Sequence, residues 1–157
     1  MRIELVATNI EAACEQILRS LPMWFGQEDS IIKYVGDTSR LPTFAAVQGE
    51  AVSGFLTLRQ HSPQSFEISC LAVHALDRGH RVGRALVDFA SSWAAGRGGQ
   101  FLQVKTLASA HPSPEYAQTR AFYARMGFVL LEVFPTLWSA KHPCLQLVKH
   151  LEQTPSK

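Results

Sequence analysis

The spacing of apolar residues changes along the chain, and each change marks an element. Leu5 and Val6 read as a short first strand, and Thr8 to Glu11 has the Ser/Thr-x-x-Glu spacing of a capping box, which predicts a helix start. Ile10, Cys14, Ile17, Leu18 and Leu21 then recur at intervals of three and four until Pro22, so one face of that helix is expected to pack on a flat surface. Between Pro22 and Pro42 no period holds, and the segment reads as a loop or a short helix with Met23, Trp24 and Phe25 near its front. Thr43 to Val47 and Ala51 to Leu58 are β-rich runs joined by Gln48-Gly49-Glu50, the signature of an antiparallel hairpin. His61-Ser62-Pro63 reads as a break, followed by a strand from Phe66 to Val73.

A helical stripe of Val82, Leu86, Phe89 and Trp93 comes next, ending in Gly96-Arg97-Gly98-Gly99, with a strand from Phe101 to Leu107 beyond it. This strand, helix, strand succession predicts a right-handed βαβ unit with parallel strands. A helix from Glu115 to Met126 is stopped by Gly127, and Val129 to Phe134 and Cys144 to Val148 are two closing strands linked across Pro135 and Pro143.

Composition narrows the class. With 157 residues, 46% of them apolar and 18% charged, the chain is expected to form one globular domain over residues 1–151, with a disordered tail at 152–157. A net charge of +2 is too small for a nucleic-acid or membrane footprint, and no run of eighteen or more apolar residues predicts a membrane span, so neither is expected as a partner. Cys14, Cys70 and Cys144 are odd in number and far apart, which predicts reduced thiols in a cytoplasmic protein, without a disulfide framework or a bound metal.

The chemical anomaly is the stretch Asp77-Arg78-Gly79-His80-Arg81-Val82-Gly83-Arg84, between a strand and a helix. A helix N-terminus is electropositive, and each cation there costs about 0.3–1 kcal/mol, yet three arginines gather at this one. An anion held by the free amides would remove the conflict, and Gly79 and Gly83 would let a pyrophosphate approach the backbone. A solvated basic turn is the alternative. A dinucleotide-binding fold fits less well, because Arg81 breaks the G-x-G-x-x-G spacing.

Cys70-Leu71-Ala72-Val73, followed by Arg78 to Leu86, resembles the acetyl-CoA motif of the GNAT N-acetyltransferases, whose pattern is Q/R-x-x-G-x-G/A. Arg78 and Gly83 match, while Arg81 stands at the central glycine and Ala75 where proline is common. Ala121-Phe122-Tyr123-Ala124-Arg125-Met126-Gly127-Phe128 resembles a second family segment, A-x-x-F-Y-x-x-x-G-F, with Tyr116 and Thr119 as departures where many members have Asn and Ala. The order of elements agrees from about Thr43 to Leu151.

The resemblance implies an α/β GNAT fold: a mixed, largely antiparallel sheet of about six or seven strands with helices on both faces, splayed between the strand ending at Val73 and that of Phe101 to Leu107. It implies transfer of an acetyl group from acetyl-CoA to the primary amine of a small molecule, by direct attack in a ternary complex and without a metal. Tyr123 falls on the tyrosine that protonates the departing thiolate. Leu71, Ala72 and Val73 fall on the backbone that binds the thioester and pantetheine arm, and Arg78, Gly79, His80, Arg81, Val82, Gly83 and Arg84 on the pyrophosphate loop. Trp24, Phe25, Phe134 and Trp138 lie in segments that line the acceptor cleft in this family, although packing in the core is the ordinary fate of such residues.

An alkylammonium must lose a proton before it attacks, and Glu67, on the strand side shared by Ser69, Leu71 and Val73, is the candidate base, with an exposed or salt-bridged carboxylate as the alternative. His111 is a second candidate base. His74 and His80 are expected to add charge or hydrogen bonds beside the loop, and Cys70 to be core rather than a nucleophile. Two other functions are open: a non-catalytic acyl-CoA sensor or interaction module, and an acetyltransferase directed at proteins or peptides. A homodimer is common in such families and nothing in the sequence requires one.

Overall fold

The computed structural model describes residues 1–6 and 8–152. Its elements run β1 (Arg2–Val6), α1 (Glu11–Arg19), α2 (Glu28–Asp37), β2 (Thr43–Gln48), β3 (Ala51–Ser62), β4 (Ser65–Val73), α3 (Val82–Gly96), β5 (Phe101–Leu107), α4 (Pro114–Arg125), β6 (Val129–Ser139) and β7 (His142–His150). The strands form one seven-stranded sheet in the order β1-β2-β3-β4-β5-β7-β6, and the β1–β2, β2–β3, β5–β7 and β6–β7 ladders are antiparallel. This is the mixed α/β class expected. The chain divides into two compact units, residues 1–59 with 68–93, and residues 60–67 with the chain from Ala94 on. Of the tail expected at 152–157, Glu152 is described and exposed, and residues 153–157 lie outside the described residues.

In the first unit the predicted stripe of α1 is buried throughout, from Ile10 to Leu21. The capping box does not form: Ile10 is the N-cap, with no side-chain cap bond, and the helix begins at Glu11. The stretch without a period holds α2, whose Ile31 is buried and whose Tyr34 and Val35 are partly buried against α1, β2, β3 and β4. Gln48 pairs with Ala51 across a two-residue turn, and Gly49 takes φ +62° at its first position, where an L side chain would be strained. Phe44 of β2 meets Phe89 and Trp93 of α3 edge-on at 5.5 and 5.4 Å, while its neighbour Ala45 joins the cluster formed with α1 and α2. Helices therefore cover both faces of this part of the sheet. The buried face of α3 is Val82, Leu86, Val87, Ala90 and Ala94, with Phe89 at its margin rather than at its centre.

In the second unit α4 is capped by Ser113, whose hydroxyl accepts from the Tyr116 amide at 3.3 Å, and the chain leaves it through Gly127 at φ +92°. Leu102, Val104, Tyr123, Phe128, Leu145 and Leu147 are buried here. Two expected breaks lie further along than expected, with turns at 63–64 and 140–141. β3 continues through His61 to Ser62, and β6 runs through Pro135, whose missing N–H costs nothing on the outermost strand. Pro143 likewise lies inside β7. Cys14, Cys70 and Cys144 are free and buried, and among the described residues no helix is long and apolar enough to cross a membrane.

Gly54 of β3 sets how closely α3 approaches. A Cβ there would stand 3.0 Å from the Ala72 carbonyl oxygen and from Val82 Cγ1, and 3.2 Å from Leu86 Cδ1. Gly54→Ala is expected to destabilise the protein by about 1–3 kcal/mol, the range of an overpacked core, as measured by urea unfolding.

Candidate active site

Burial alternates along β4, with Phe66, Ile68, Cys70 and Ala72 buried and Glu67, Ser69, Leu71 and Val73 partly buried, as expected for a strand with one more open side. Beyond Val73 the chain is fastened at both ends of a short turn. The His74 amide donates to the Ser53 carbonyl at 2.8 Å, and the Ala75 amide donates to Ser20 Oγ at 3.1 Å, just past the end of α1. His74 Nδ1 accepts from the Leu76 amide at 3.2 Å, and His80 Nδ1 is 3.2 Å from the Asp77 carbonyl oxygen. Both histidines thus contact the backbone of the loop.

Gly79 takes φ +83° and Arg81 φ +63°, so the backbone turns twice through the left-handed region before α3 begins. Arg81, which stands at the central glycine place of the motif it resembles, is therefore left-handed itself, at a cost of about 1–2 kcal/mol for an L residue. Its carbonyl accepts from the Ala85 amide at 3.1 Å as the first helical bond. The N–H groups of Val82, Gly83 and Arg84 have no intrahelical acceptor, and the first turn carries no acidic side chain to neutralise its dipole. A helix start of this kind, with Arg78, Arg81 and Arg84 beside it, is electropositive.

The Arg78 guanidinium lies 4.3 Å from the centroid of the Trp24 ring, a cation–π contact that ties the α1–α2 connection to the loop. Phe25 packs edge-on against Tyr34 at 5.8 Å. Both aromatics belong to the packing of the first unit, which is the alternative the sequence left open for them. Trp138, in β6, is 49% exposed.

Glu67 and Tyr123 belong to the second unit. Glu67 Oε2 accepts from Lys105 Nζ at 2.8 Å, and Oε1 lies 2.6 Å from His61 Nε2, while only 12% of its side chain is exposed. Burial acts to raise its pKa, but the bonds from Lys105 and His61 outweigh that effect and hold the carboxyl below the ordinary carboxylate range. The sequence missed His61, because a segment read as a break turned out to be the end of β3. Its signal was a polar run, Arg59-Gln60-His61, continuing a strand.

Tyr123 is 5% exposed, its ring edge-on to Phe122 and Phe128 at 5.2 Å each. His111 stacks on His142 with ring centroids 5.6 Å apart, and its Nδ1 is buried with no hydrogen-bond partner among the described residues. Burial, with smaller contributions from Cys14 and Asp37, pushes the Cys70 thiol far up, so a thiolate nucleophile is not formed there at neutral pH. No cluster of three or more His, Cys, Asp or Glu able to hold a metal occurs among the described residues.

The loop thus sits between a half-open strand and the start of α3 in a seven-stranded sheet. The family model described as the acetyltransferase (GNAT) domain matches residues 39–130, and the chain belongs to that family of N-acetyltransferases. No curated protein matches in sequence. Among solved structures, a protein described as a GNAT-family acetyltransferase from Desulfovibrio desulfuricans superposes with a TM-score of 0.83 at 16% identity, covering 96% of this chain and 99% of that one. An aminoglycoside 6′-N-acetyltransferase complexed with coenzyme A superposes at 0.76 with 20% identity, covering 99% and 100%. The ribosomal-protein-S18-alanine N-acetyltransferase of Escherichia coli superposes at 0.77 with 17% identity, covering 99% and 97%. At these identities the structures report the fold.

The strain at Arg81 is directly testable. Arg81→Gly is expected to raise stability by about 1 kcal/mol in urea unfolding. A destabilised variant would show that the left-handed turn carries no strain.

Proposed function

We propose that the protein transfers the acetyl group of acetyl-CoA directly to the primary amine of a small molecule. The observation that carries this reading is the loop at residues 78–84, which resembles the family's cofactor motif, passes through left-handed conformations at Gly79 and Arg81 and leads into an α3 whose first turn has no acidic side chain. The first amides of α3 and the arginine side chains would hold the pyrophosphate, and the backbone of Leu71 and Val73 would receive the pantetheine arm and polarise the thioester carbonyl. Tyr123 would give its proton to the departing thiolate, a step suited to a phenol that is protonated at neutral pH. The proton of the attacking ammonium would leave through the group of side chains around Glu67. The three free, buried thiols accord with a cytoplasmic location.

Aminoglycoside 6′-N-acetyltransferases among the structural neighbours favour a small-molecule acceptor, while the S18-alanine enzyme makes a peptide N-terminus the competing one. The test is release of free CoA from acetyl-CoA, with mass detection of products, for kanamycin, spermidine and a peptide beginning with alanine. A small amine gaining one acetyl group is the expected result, and acetylation of the peptide alone would move the reading to a protein-directed enzyme. Tyr123→Phe is expected to lower turnover at least about 100-fold with acetyl-CoA affinity nearly unchanged. Unchanged turnover would remove the acid role and, if no amine supports CoA release, a sensor is the reading that survives.

A further inference from the structure

An alkylamine with a pKa of about 10.4 arrives as an ammonium, so its nitrogen becomes a nucleophile only after a base has removed a proton. Glu67 is poorly suited to that task alone. Both of its oxygens already accept bonds, from Lys105 and His61, and the carboxylate is largely covered. His61, in contrast, has 42% of its side chain exposed. An ionised carboxylate only accepts hydrogen bonds, so the Nε2 that faces Glu67 must carry hydrogen, and the lone pair of the neutral ring must then sit on Nδ1.

We propose that His61 is the general base of the acetyl transfer and that Glu67 is its positioning residue, fixing the imidazole in the tautomer that leaves Nδ1 free to take the amine's proton. The inference rests on the acetyl-transfer reading above and names the base within it. The groups facing the ring include the Glu67 carboxylate from β4, and the Lys105 ammonium from β5 lies on the far side of that carboxylate. Cys144 of β7 stands in the same field, its thiol pushed up chiefly by burial and so neutral. Lys105 secures the second Glu67 oxygen and helps keep the carboxyl ionised, which a tautomer-fixing partner requires.

The proton balance closes. The ammonium gives one proton to Nδ1, the freed lone pair forms the C–N bond, and breaking of the C–S bond releases a thiolate that takes the Tyr123 proton. The second nitrogen proton then restores Tyr123, and His61 returns its proton to water.

Two measurements test this. The first reads the imidazole 15N shifts of His61 at neutral pH without ligand: the wild type is expected in the Nε2–H form, and Glu67→Gln in a mixture of tautomers. An Nδ1–H ring in the wild type would overturn the proposal whatever the enzyme's activity.

The second follows CoA release with kanamycin, or with the panel amine that turns over fastest, as a function of pH. His61→Ala is expected to lose about 100-fold or more in turnover and the acidic limb of the profile, with partial rescue by added imidazole. Glu67→Gln is expected to lose less and to keep the limb. Turnover of His61→Ala within threefold of wild type, or a Glu67→Gln loss as deep as that of His61→Ala, would overturn the assignment. Absence of release from the wild type with every amine would instead defeat the acetyl-transfer reading itself, and the tautomer would still report on His61.

Discussion

A helix cannot satisfy its own first N–H groups, and in this protein that constraint organises the half of the chain that would bind the cosubstrate. The first turn of α3 has no acidic side chain to answer its dipole and is preceded by two left-handed residues, Gly79 and Arg81. Everything nearby holds that turn in place. Gly54 lets the helix come down onto β3 at van der Waals distance, Ser53 and Ser20 fasten the backbone of His74 and Ala75, and Trp24 receives the Arg78 guanidinium. The loop is thus anchored by strand, helix and connection together, which fits it to meet an anion without first being ordered.

A second polar arrangement runs across β4, β5 and β7. Gln103 bonds Ser65 at 2.5 Å and Gln146 bonds Gln103, beside the Lys105–Glu67–His61 row. Partly covered polar side chains that must find particular partners fix the register of neighbouring strands, since a slip of one residue would strand each of them. The carboxylate that orders His61 therefore also belongs to the framework.

Much of this was legible in the sequence, and the failures have physical causes. The stripe of α1, the hairpin at Gly49 and the cap of α4 at Gly127 were readable because period and turn chemistry agree there. The α2 segment was not, since its buried residues are the apolar Ile31 and the acidic Asp37 while Ile32 is 61% exposed, so the helix has no clean apolar period to display. β3 and β6 outran their expected ends because strand pairing tolerates polar and proline residues where the chain nears a turn or an outer edge. The loop arginines were found through charge in an unfavourable place. The partnership of Glu67 with His61 and Lys105 was not, because it joins three strands and no local pattern records it.

The most direct test of the account is a titration of the 15N-labelled protein with coenzyme A, following backbone amides. The account predicts that Gly79, Val82, Gly83 and Arg84 shift first and furthest, together with Leu71 and Val73 along the strand. Binding that leaves the amides at the start of α3 unmoved, or no binding at millimolar coenzyme A, would contradict it.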